Sequence, residues 1–171
     1  MADTPAGLDT TAQNFANANG VDEPHIGIES QYIKDLSFEN PMGPASTAAI
    51  QKNPQVSVEV TTSAREIGES QYEVCLIIHG EALQDGSPVF IIELTYGAVI
   101  SLNNVPDDAV QPILLIEGAQ LVFPFARNIV ADVTRDGGFP PLFLQPINFM
   151  ELYQNQHGPT EVDDDSEADV G

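Results

Sequence analysis

Residues 117–154 read EGAQLVFPFARNIVADVTRDGGFPPLFLQPINFMELYQ and carry most of the helical pattern in the chain. They hold five of the eight phenylalanines, four of the thirteen prolines and two of the five basic residues. Apolar residues recur here at the i, i+3, i+4 spacing of an amphipathic helix: Val122, Phe125, Ala126, Ile129, Val130 and Val133. The stretch is therefore expected to form a helical layer that packs on the rest of the chain.

The same stretch predicts where its helices end and begin. Gly137 and Gly138 terminate the main helix, since glycine readily adopts the left-handed conformation found after helix ends. The prolines at 140 and 141 then require an extended segment. Asn148, followed three residues later by Glu151, resembles a capping box and predicts a last helix.

Four segments ahead of this stretch alternate apolar and polar residues, as strands do: residues 31–39, 55–62, 71–83 and 89–102. In the first segment the alternation assigns Tyr32, Lys34, Leu36 and Phe38 to one face and Ile33, Asp35, Ser37 and Glu39 to the other. The polar turn QDGS at 84–87 joins the last two segments in a hairpin. Together they predict an antiparallel sheet with one buried face and one wetter face.

The wetter face of the predicted sheet is acidic. It gathers Glu59, Glu73, Glu81 and Glu93, while the three strands after the first contain no Lys or Arg. Like charges on neighbouring strands destabilise a sheet slightly, and Ile91 adds an apolar spot beside Glu93. Two interpretations remain open, a docking face for a basic partner and ordinary solvated surface charge.

Composition excludes several classes of protein. The net charge of −21 would repel DNA, RNA and anionic lipid. Residues 1–30 and 157–171 lack a hydrophobic period and are predicted to be a disordered N-terminal arm and a disordered acidic tail. The single Cys75 permits no disulfide framework and is interpreted as a small core hydrophobe. No apolar run reaches the roughly 18 residues of a membrane span, and no secretory signal is present, so a cytoplasmic protein without membrane insertion is expected.

The chain contains none of the motifs that carry enzyme chemistry. We find no nucleophile elbow, P-loop, dinucleotide-binding fingerprint or HExxH motif. His25, His79 and His157 are scattered, and the acidic run at 163–165 lacks the spaced ligands of a calcium loop. We therefore expect no enzyme, no cofactor and no metal site. The phenylalanines exceed what a small sheet can cover, and surplus apolar surface is usually covered by oligomerisation or by a ligand.

Three motifs resemble the SecB family of bacterial protein-export chaperones over about residues 31–156, which we take as a SecB-like chaperone domain. They are YIKDLSFENP at 32–41, FIIEL at 90–94, and LVFPFAR, GFPPL and PINF between 121 and 149. The resemblance implies an α+β fold, with a four-stranded antiparallel sheet and helices on one face, assembled as a dimer of dimers. It also implies a cytoplasmic holdase that keeps unfolded precursor proteins translocation-competent without ATP. Delivery would be to the SecA ATPase, whose short basic zinc-binding tail docks on the acidic face.

The resemblance also assigns roles to individual positions. They form a SecA-docking group (Asp35, Glu39, Ile91 and Glu93), a tetramer group (Ile92, Leu94 and Tyr96) and an aromatic client-binding group (Phe38, Phe123, Phe125 and Phe149). Ile91 stands where leucine is familiar, and Tyr96 replaces a polar residue, so the subunit contacts are open to repacking.

The alternative is an assembly or scaffold adaptor with an acidic docking face, such as a toxin–antitoxin-linked relative of the same fold. Retarded refolding of a slow-folding reporter, without nucleotide, distinguishes a holdase from such an adaptor. An enzyme is disfavoured because no catalytic constellation supports it.

Overall fold

A computed structural model describes residues 23–158 as a four-stranded antiparallel sheet covered by helices on one face. The strands are β1 (His25–Glu39), β2 (Gln55–Gly68), β3 (Gln71–Gln84) and β4 (Ser87–Asn103), in the order β1-β4-β3-β2. A short turn of helix, Gly43–Ala45, leads into α1 (Ser46–Ile50) between β1 and β2. After β4 come α2 (Asp107–Ile113), a π-helical turn (Leu114–Gly118), α3 (Ala119–Asp136) and α4 (Phe149–His157). The predicted α+β class is thereby confirmed.

The boundaries at both ends differ from those predicted. β1 begins at His25, six residues before the predicted start of the domain at 31. The rest of the predicted N-terminal arm and nearly all of the acidic tail lie outside the described residues. At the other end, α4 continues to His157, and the Asn148 side chain accepts a hydrogen bond from the Glu151 N–H at 3.2 Å, as the capping pattern predicted.

The hairpin between β3 and β4 forms at the predicted turn. Asp85 and Gly86 both have positive φ, 51° and 77°, which is the conformation that matches the right-handed twist of two adjoining strands. Asp and Gly tolerate this conformation better than other residues. The turn places Gln84 opposite Ser87, and a bulge at Val89 then sets the register in which Leu94 lies opposite Ile78 and Glu93 opposite His79.

β1 contains two bulges that interrupt the simple alternation of side chains. Because of the second bulge, the residues on each face of β1 differ from those predicted. Ile33 pairs with Tyr96 and Asp35 pairs with Thr95, so Lys34 is an extra residue on β1. A bulge puts two residues of one strand opposite one residue of its partner. As a result Asp35 lies on the same face as Tyr32, while Leu36 and Phe38 pair with Leu94 and Ile92 on the opposite face. The single alternation predicted for residues 31–39 is therefore wrong.

The core lies between the sheet and the helices. The even-numbered residues of β3 and β4 face the helices: Val74, Leu76, Ile78, Ile92, Leu94, Ala98 and Ile100, all with at most 1% exposure. Burial of such aliphatic side chains stabilises the fold by about 1.5–3 kcal/mol each. From the helical layer, Val122, Ala126 and Val130 of α3 are buried against them.

The buried stripe of α3 is rotated relative to the prediction. Phe123 is buried, whereas Phe125 is 50% exposed. Both phenylalanines flank Val122 and Ala126, so apolar spacing by itself does not decide which flank faces the sheet. Assigning Phe125 to the core face was wrong.

Residues 107–136 form one continuous helical run of 30 residues, which is long and apolar enough to cross a membrane by length and composition alone. The sequence-based expectation concerned an apolar run of about 18 residues, and here Glu117 and Arg127 interrupt the apolar residues. The core helix of a globular domain passes the same test, and this run packs Leu114, Val122 and Val130 into the core beneath the sheet.

The segment between α3 and α4, residues 137–148, crosses the helical layer in extended form and is called the crossover here. Thr134, which is fully buried, anchors it: its Oγ1 donates to the Val130 carbonyl at 2.9 Å and accepts from the Leu142 N–H at 2.8 Å. Gly137 is required at the start of the crossover, since a Cβ there would lie 2.3 Å from the Phe38 ring. The crossover is therefore held at a fixed place beside the sheet.

Candidate functional site

The four predicted docking residues lie together on the face of the sheet that none of the helices within residues 23–158 covers. Glu39 pairs with Ile91 across the β1–β4 ladder, and Ser37 pairs with Glu93. The Ser37 hydroxyl lies 3.5 Å from Glu93 Oε2, and Asp35 is the next residue along β1 on this face. The bulge in β1 is what brings Asp35 to this side. We call this uncovered side of the sheet the open face.

Three further ionisable residues extend the acidic part of the open face toward β2. The register places Glu59 opposite His79, His79 opposite Glu93, and Glu81 opposite Ile91. The His79 Nδ1 lies 3.3 Å from Glu93 Oε1, at a site where both side chains are more than two-fifths exposed. The exposed carboxylates outnumber the nearby cations, so this end of the face attracts positive charge.

A cluster of side chains around Glu73 lies at the other end of the open face. Glu73 is only 5% exposed, although the alternation placed it on the wetter face. Its Oε2 lies 2.9 Å from Lys34 Nζ and 2.6 Å from Arg65 Nε, and its Oε1 accepts a hydrogen bond from the Tyr32 hydroxyl. These four residues, Tyr32, Lys34, Arg65 and Glu73, form the Glu73 cluster. Sequence reasoning missed it because Arg65 lies beyond the predicted end of its strand.

The hydrogen bonds in the Glu73 cluster shift two pKa values in opposite directions. Donation from Tyr32, Arg65 and Lys34 lowers the pKa of Glu73 to about 2. The bond to Glu73, together with burial, raises the pKa of Tyr32 to about 12. Because hydrogen bonds to a carboxylate favour its charged form, Glu73 is an anion and Tyr32 a neutral donor at neutral pH.

Gly97 makes room for the cluster. It pairs with Tyr32 on one side and Cys75 on the other, and a Cβ at Gly97 would lie 2.7 Å from the Tyr32 ring. The Tyr32 side chain can therefore cross β4 to reach Glu73 on β3.

Cys75 is buried, as predicted, but on the open face rather than in the core beneath the helices. Burial raises the pKa of its thiol.

Two adjoining grooves lie on the opposite side of the sheet, between β2 and the crossover. The first, about 280 Å³, includes Val56, Phe90 and Leu142 in its lining, and the second, about 400 Å³, includes Val58 and Phe143. Phe143 is 61% exposed and Val56 46% exposed. These two grooves, called the crossover grooves, offer an extended apolar surface beside the free edge of β2.

The four aromatic residues predicted to bind client do not line the crossover grooves. Phe38 packs against Phe90 and Phe139, with ring centroids 5.9 and 5.8 Å apart. Phe123 and Phe149 pack edge to face at 5.6 Å within the core. Phe125 is exposed on α3. Client binding by these four side chains thus stays a prediction.

The three predicted tetramer positions lie inside the protomer. Ile92 and Leu94 are at most 1% exposed and Tyr96 is 7% exposed. Ile92 packs over Gly80, where a Cβ would lie 2.9 Å from its Cγ2. An effect of these residues on assembly would therefore have to act through the shape of the sheet.

No group of three or more potential metal ligands occurs among residues 23–158. On the open face, Glu59 and Glu93 are exposed, and His79 and Glu81 are half-buried. What the geometry offers is an acidic open face on one side of the sheet and apolar grooves on the other.

Comparison with known proteins agrees with the fold and the motifs. The family model described as preprotein translocase subunit SecB matches residues 19–159. A protein-export protein SecB from Paramagnetospirillum magneticum is 52% identical over 134 residues, covering 78% of this chain and 86% of the relative. Another, from Afipia carboxidovorans, is 46% identical over 146 residues, covering 85% and 89%.

Among solved structures, the SecB-like chaperone of Mycobacterium tuberculosis, in complex with a ChAD peptide from the HigA1 antitoxin, shares the fold. Its TM-score is 0.59 at 14% identity, over 71% of this chain and 90% of that one. At this identity the likeness concerns the fold alone.

Proposed function

Because the chain belongs to the SecB family of protein-export chaperones, we propose that it is a cytoplasmic holdase that acts without ATP and hands unfolded precursor proteins to SecA. The observation that carries this proposal is that the two sides of one sheet present two different surfaces. The acidic open face suits a basic partner, and the crossover grooves suit extended apolar segments. A role in holding chains needs no catalytic group, in keeping with the absence of enzyme motifs from the sequence.

The open face supports the assignment of SecA docking to Asp35, Glu39, Ile91 and Glu93. Three carboxylates and an isoleucine share one face within two neighbouring strands. A basic zinc-binding tail would meet attraction from the carboxylates and an apolar contact at Ile91. Charge complementarity of this kind steers association and fixes orientation.

The crossover grooves support binding of unfolded precursors. Their lining is mostly aliphatic and aromatic, with few polar groups to demand a particular sequence. Within residues 23–158, no strand pairs with the outer edge of β2 beside the grooves, and an extended segment can add to such an edge. Many weak apolar contacts bind an unfolded chain in preference to a folded one.

Assembly as a dimer of dimers is part of the proposal. Apolar side chains remain exposed on α3 and on the edge of β1, including Leu121, Phe125 and Ile33 at 45–50% exposure. A second copy of the chain would cover such surface. Light scattering should give four times the mass of the chain, and a stable monomer would contradict this part of the proposal.

Charge reversal on the open face should weaken docking. We expect Glu93→Lys to raise the dissociation constant for the zinc-loaded C-terminal peptide of SecA by on the order of tenfold, with Asp35→Ala smaller in the same direction. The reason is that a cation replaces an anion at the centre of the contact. Titration calorimetry at low and high salt measures this, and the wild-type affinity should fall as salt rises.

A matched control is Glu66→Lys, which makes the same charge change on β2. Glu66 pairs with Tyr72, on the side of the sheet opposite the open face. Equal weakening by Glu66→Lys and Glu93→Lys would show that net charge, not the open face, sets the affinity.

Holdase activity should appear as slower refolding of a client. An equimolar amount of the assembled protein is expected to retard refolding of a slow-folding reporter without nucleotide, because the crossover grooves bind the unfolded chain. Recovery of reporter activity over time measures this. A refolding rate equal to that in its absence would leave the adaptor function as the better reading.

A further inference from the structure

Glu73 is the only charged residue buried among residues 23–158, and it lies on the open face of the sheet. We propose that Glu73 is a positioning residue for partner docking: it withdraws the two cations of the sheet from the acidic end of the open face and fixes the β1 bulge that presents Asp35. The inference rests on the proposed docking of a basic partner at Asp35, Glu39, Ile91 and Glu93.

The first step of the argument concerns charge. Lys34 and Arg65 are the only Lys or Arg residues in the four strands. Their side chains are 44% and 65% exposed, so they are free to move unless bound. Glu73 Oε2 holds both, at 2.9 and 2.6 Å. Without that anchor, the Lys34 ammonium would lie beside Asp35 and compete with any cation of a partner.

The second step concerns the backbone of β1. Lys34 is the extra residue of the bulge, and without the extra residue Asp35 would fall opposite Leu94, on the side that the helices cover. A shift of one residue moves every following side chain to the other face. Tyr32 and Lys34 lie on either side of Ile33, and both are bound to Glu73. The bonds from Tyr32 and Lys34 to Glu73 therefore hold β1 at the bulge, where its side chains switch from one face of the sheet to the other.

The third step concerns the space that the cluster occupies. The Tyr32 ring crosses β4 directly above Gly97, where any side chain would collide with it. Of the three donors to Glu73, Tyr32 and Lys34 come from β1 and Arg65 from β2. Glu73 thus ties the two edge strands to the centre of the sheet on the open face, at the boundary of the docking residues.

The proposal is tested with Glu73→Gln and Tyr32→Phe in the full-length protein. Glu73→Gln frees both cations and is expected to weaken docking of the zinc-loaded SecA peptide by on the order of tenfold. Tyr32→Phe keeps all charges and loosens only the bulge, so a smaller weakening, roughly threefold, is expected. Retardation of reporter refolding should be unchanged in both, because the crossover grooves lie on the other side of the sheet.

The matched control is Glu66→Gln, which removes the same charge from β2 on the covered side and should leave docking within about twofold of wild type. Hydrogen exchange of residues 33–37 should be faster in Glu73→Gln and Tyr32→Phe than in this control, because the bulge loses its anchors. Hydrogen exchange at these residues therefore reports on the bulge itself.

Outcomes that overturn the inference differ from those that overturn the docking proposal. If Glu93→Lys weakens docking and Glu73→Gln behaves as Glu66→Gln does, Glu73 has no positioning role. If Glu93→Lys also has no effect, the docking face itself is wrong. Should Glu73→Gln fail to fold, Tyr32→Phe decides, and docking by Tyr32→Phe at wild-type affinity overturns the inference. Equal loss of docking and of client retention would indicate general unfolding and also counts against it.

Discussion

Ile92→Ala is expected to lower the free energy of unfolding by about 2–5 kcal/mol, the range found for removing a large aliphatic side chain from a close-packed core. Ile92 has no exposed surface and lies on β4 opposite Phe38 and Gly80. The side chain fills the space that Gly80 leaves, and Leu142 of the crossover packs within reach of the same point. Its removal therefore opens a cavity where the sheet supports the crossover.

The control for this prediction is Ile77→Ala, the same change on the neighbouring strand β3. Ile77 is 41% exposed on the open face, so the loss should be much smaller. Urea denaturation followed by circular dichroism measures both variants. An equal loss in the two would show that Ile92 is not packed as described.

The same variant bears on the predicted tetramer positions. Because Ile92 and Leu94 are enclosed within the protomer, Ile92→Ala should weaken assembly only as far as it loosens the sheet. Light scattering across the denaturation range would compare the two effects. Dissociation into a protomer of wild-type stability would instead mean that Ile92 contacts a second copy directly.

Acid should remove a stabilising contribution of about 3 kcal/mol that depends on Glu73. The pKa of Glu73 is about 2 in the folded protein, against an ordinary value of 4.5, and each pKa unit corresponds to about 1.4 kcal/mol. A carboxyl whose folded pKa is depressed stabilises the fold above its unfolded pKa. That stability is lost as pH falls from about 4.5 through about 2.

The measurement is the difference in unfolding free energy between wild type and Glu73→Gln at a series of pH values. The difference should be constant above pH 5 and should shrink by about 3 kcal/mol as pH falls to 2. Using the difference removes the titration of every other carboxyl group. A difference that stays constant throughout would mean that Glu73 is not ionised in the cluster.

Much of the sheet could be predicted because its signals are local. The β3–β4 hairpin follows from the turn at Asp85 and Gly86 and from the alternation along each strand, while the bulge at Val89 that sets its register has no such local signal. The pairing of Glu93 and Ile91 on one face follows from the same alternation. The cap at Asn148 likewise depends on residues three positions apart.

The remaining features depend on contacts that join distant parts of the chain. One extra residue at Lys34 reverses the faces of β1, and alternation gives no sign of it. Glu73 is buried because partners 39, 41 and 8 residues away converge on it. The rotation of α3 that buries Phe123 is decided by packing on the sheet, since the neighbouring Phe125 fits the helical period equally well.

The crossover grooves illustrate the same limit. Their lining combines Val56 and Val58 of an edge strand with residues of the crossover. These two parts of the chain lie on either side of α3 in the sequence and meet only in the folded protein. The prolines predicted an extended segment and an open groove beside it. Which residues face that groove depends on the anchor at Thr134, a single buried hydroxyl.

The placement of the crossover grooves and the docking residues on opposite sides of one sheet has a thermodynamic consequence. The two proposed binding surfaces share no residue, so a chaperone that uses both would form a ternary complex with client and partner without competition for space. Occupancy of one surface changes affinity at the other only if the sheet itself has two states that the ligands distinguish. If the sheet is rigid, client and partner bind independently of each other. Binding of the partner would then not weaken client binding, and the partner would have to release the client by another mechanism.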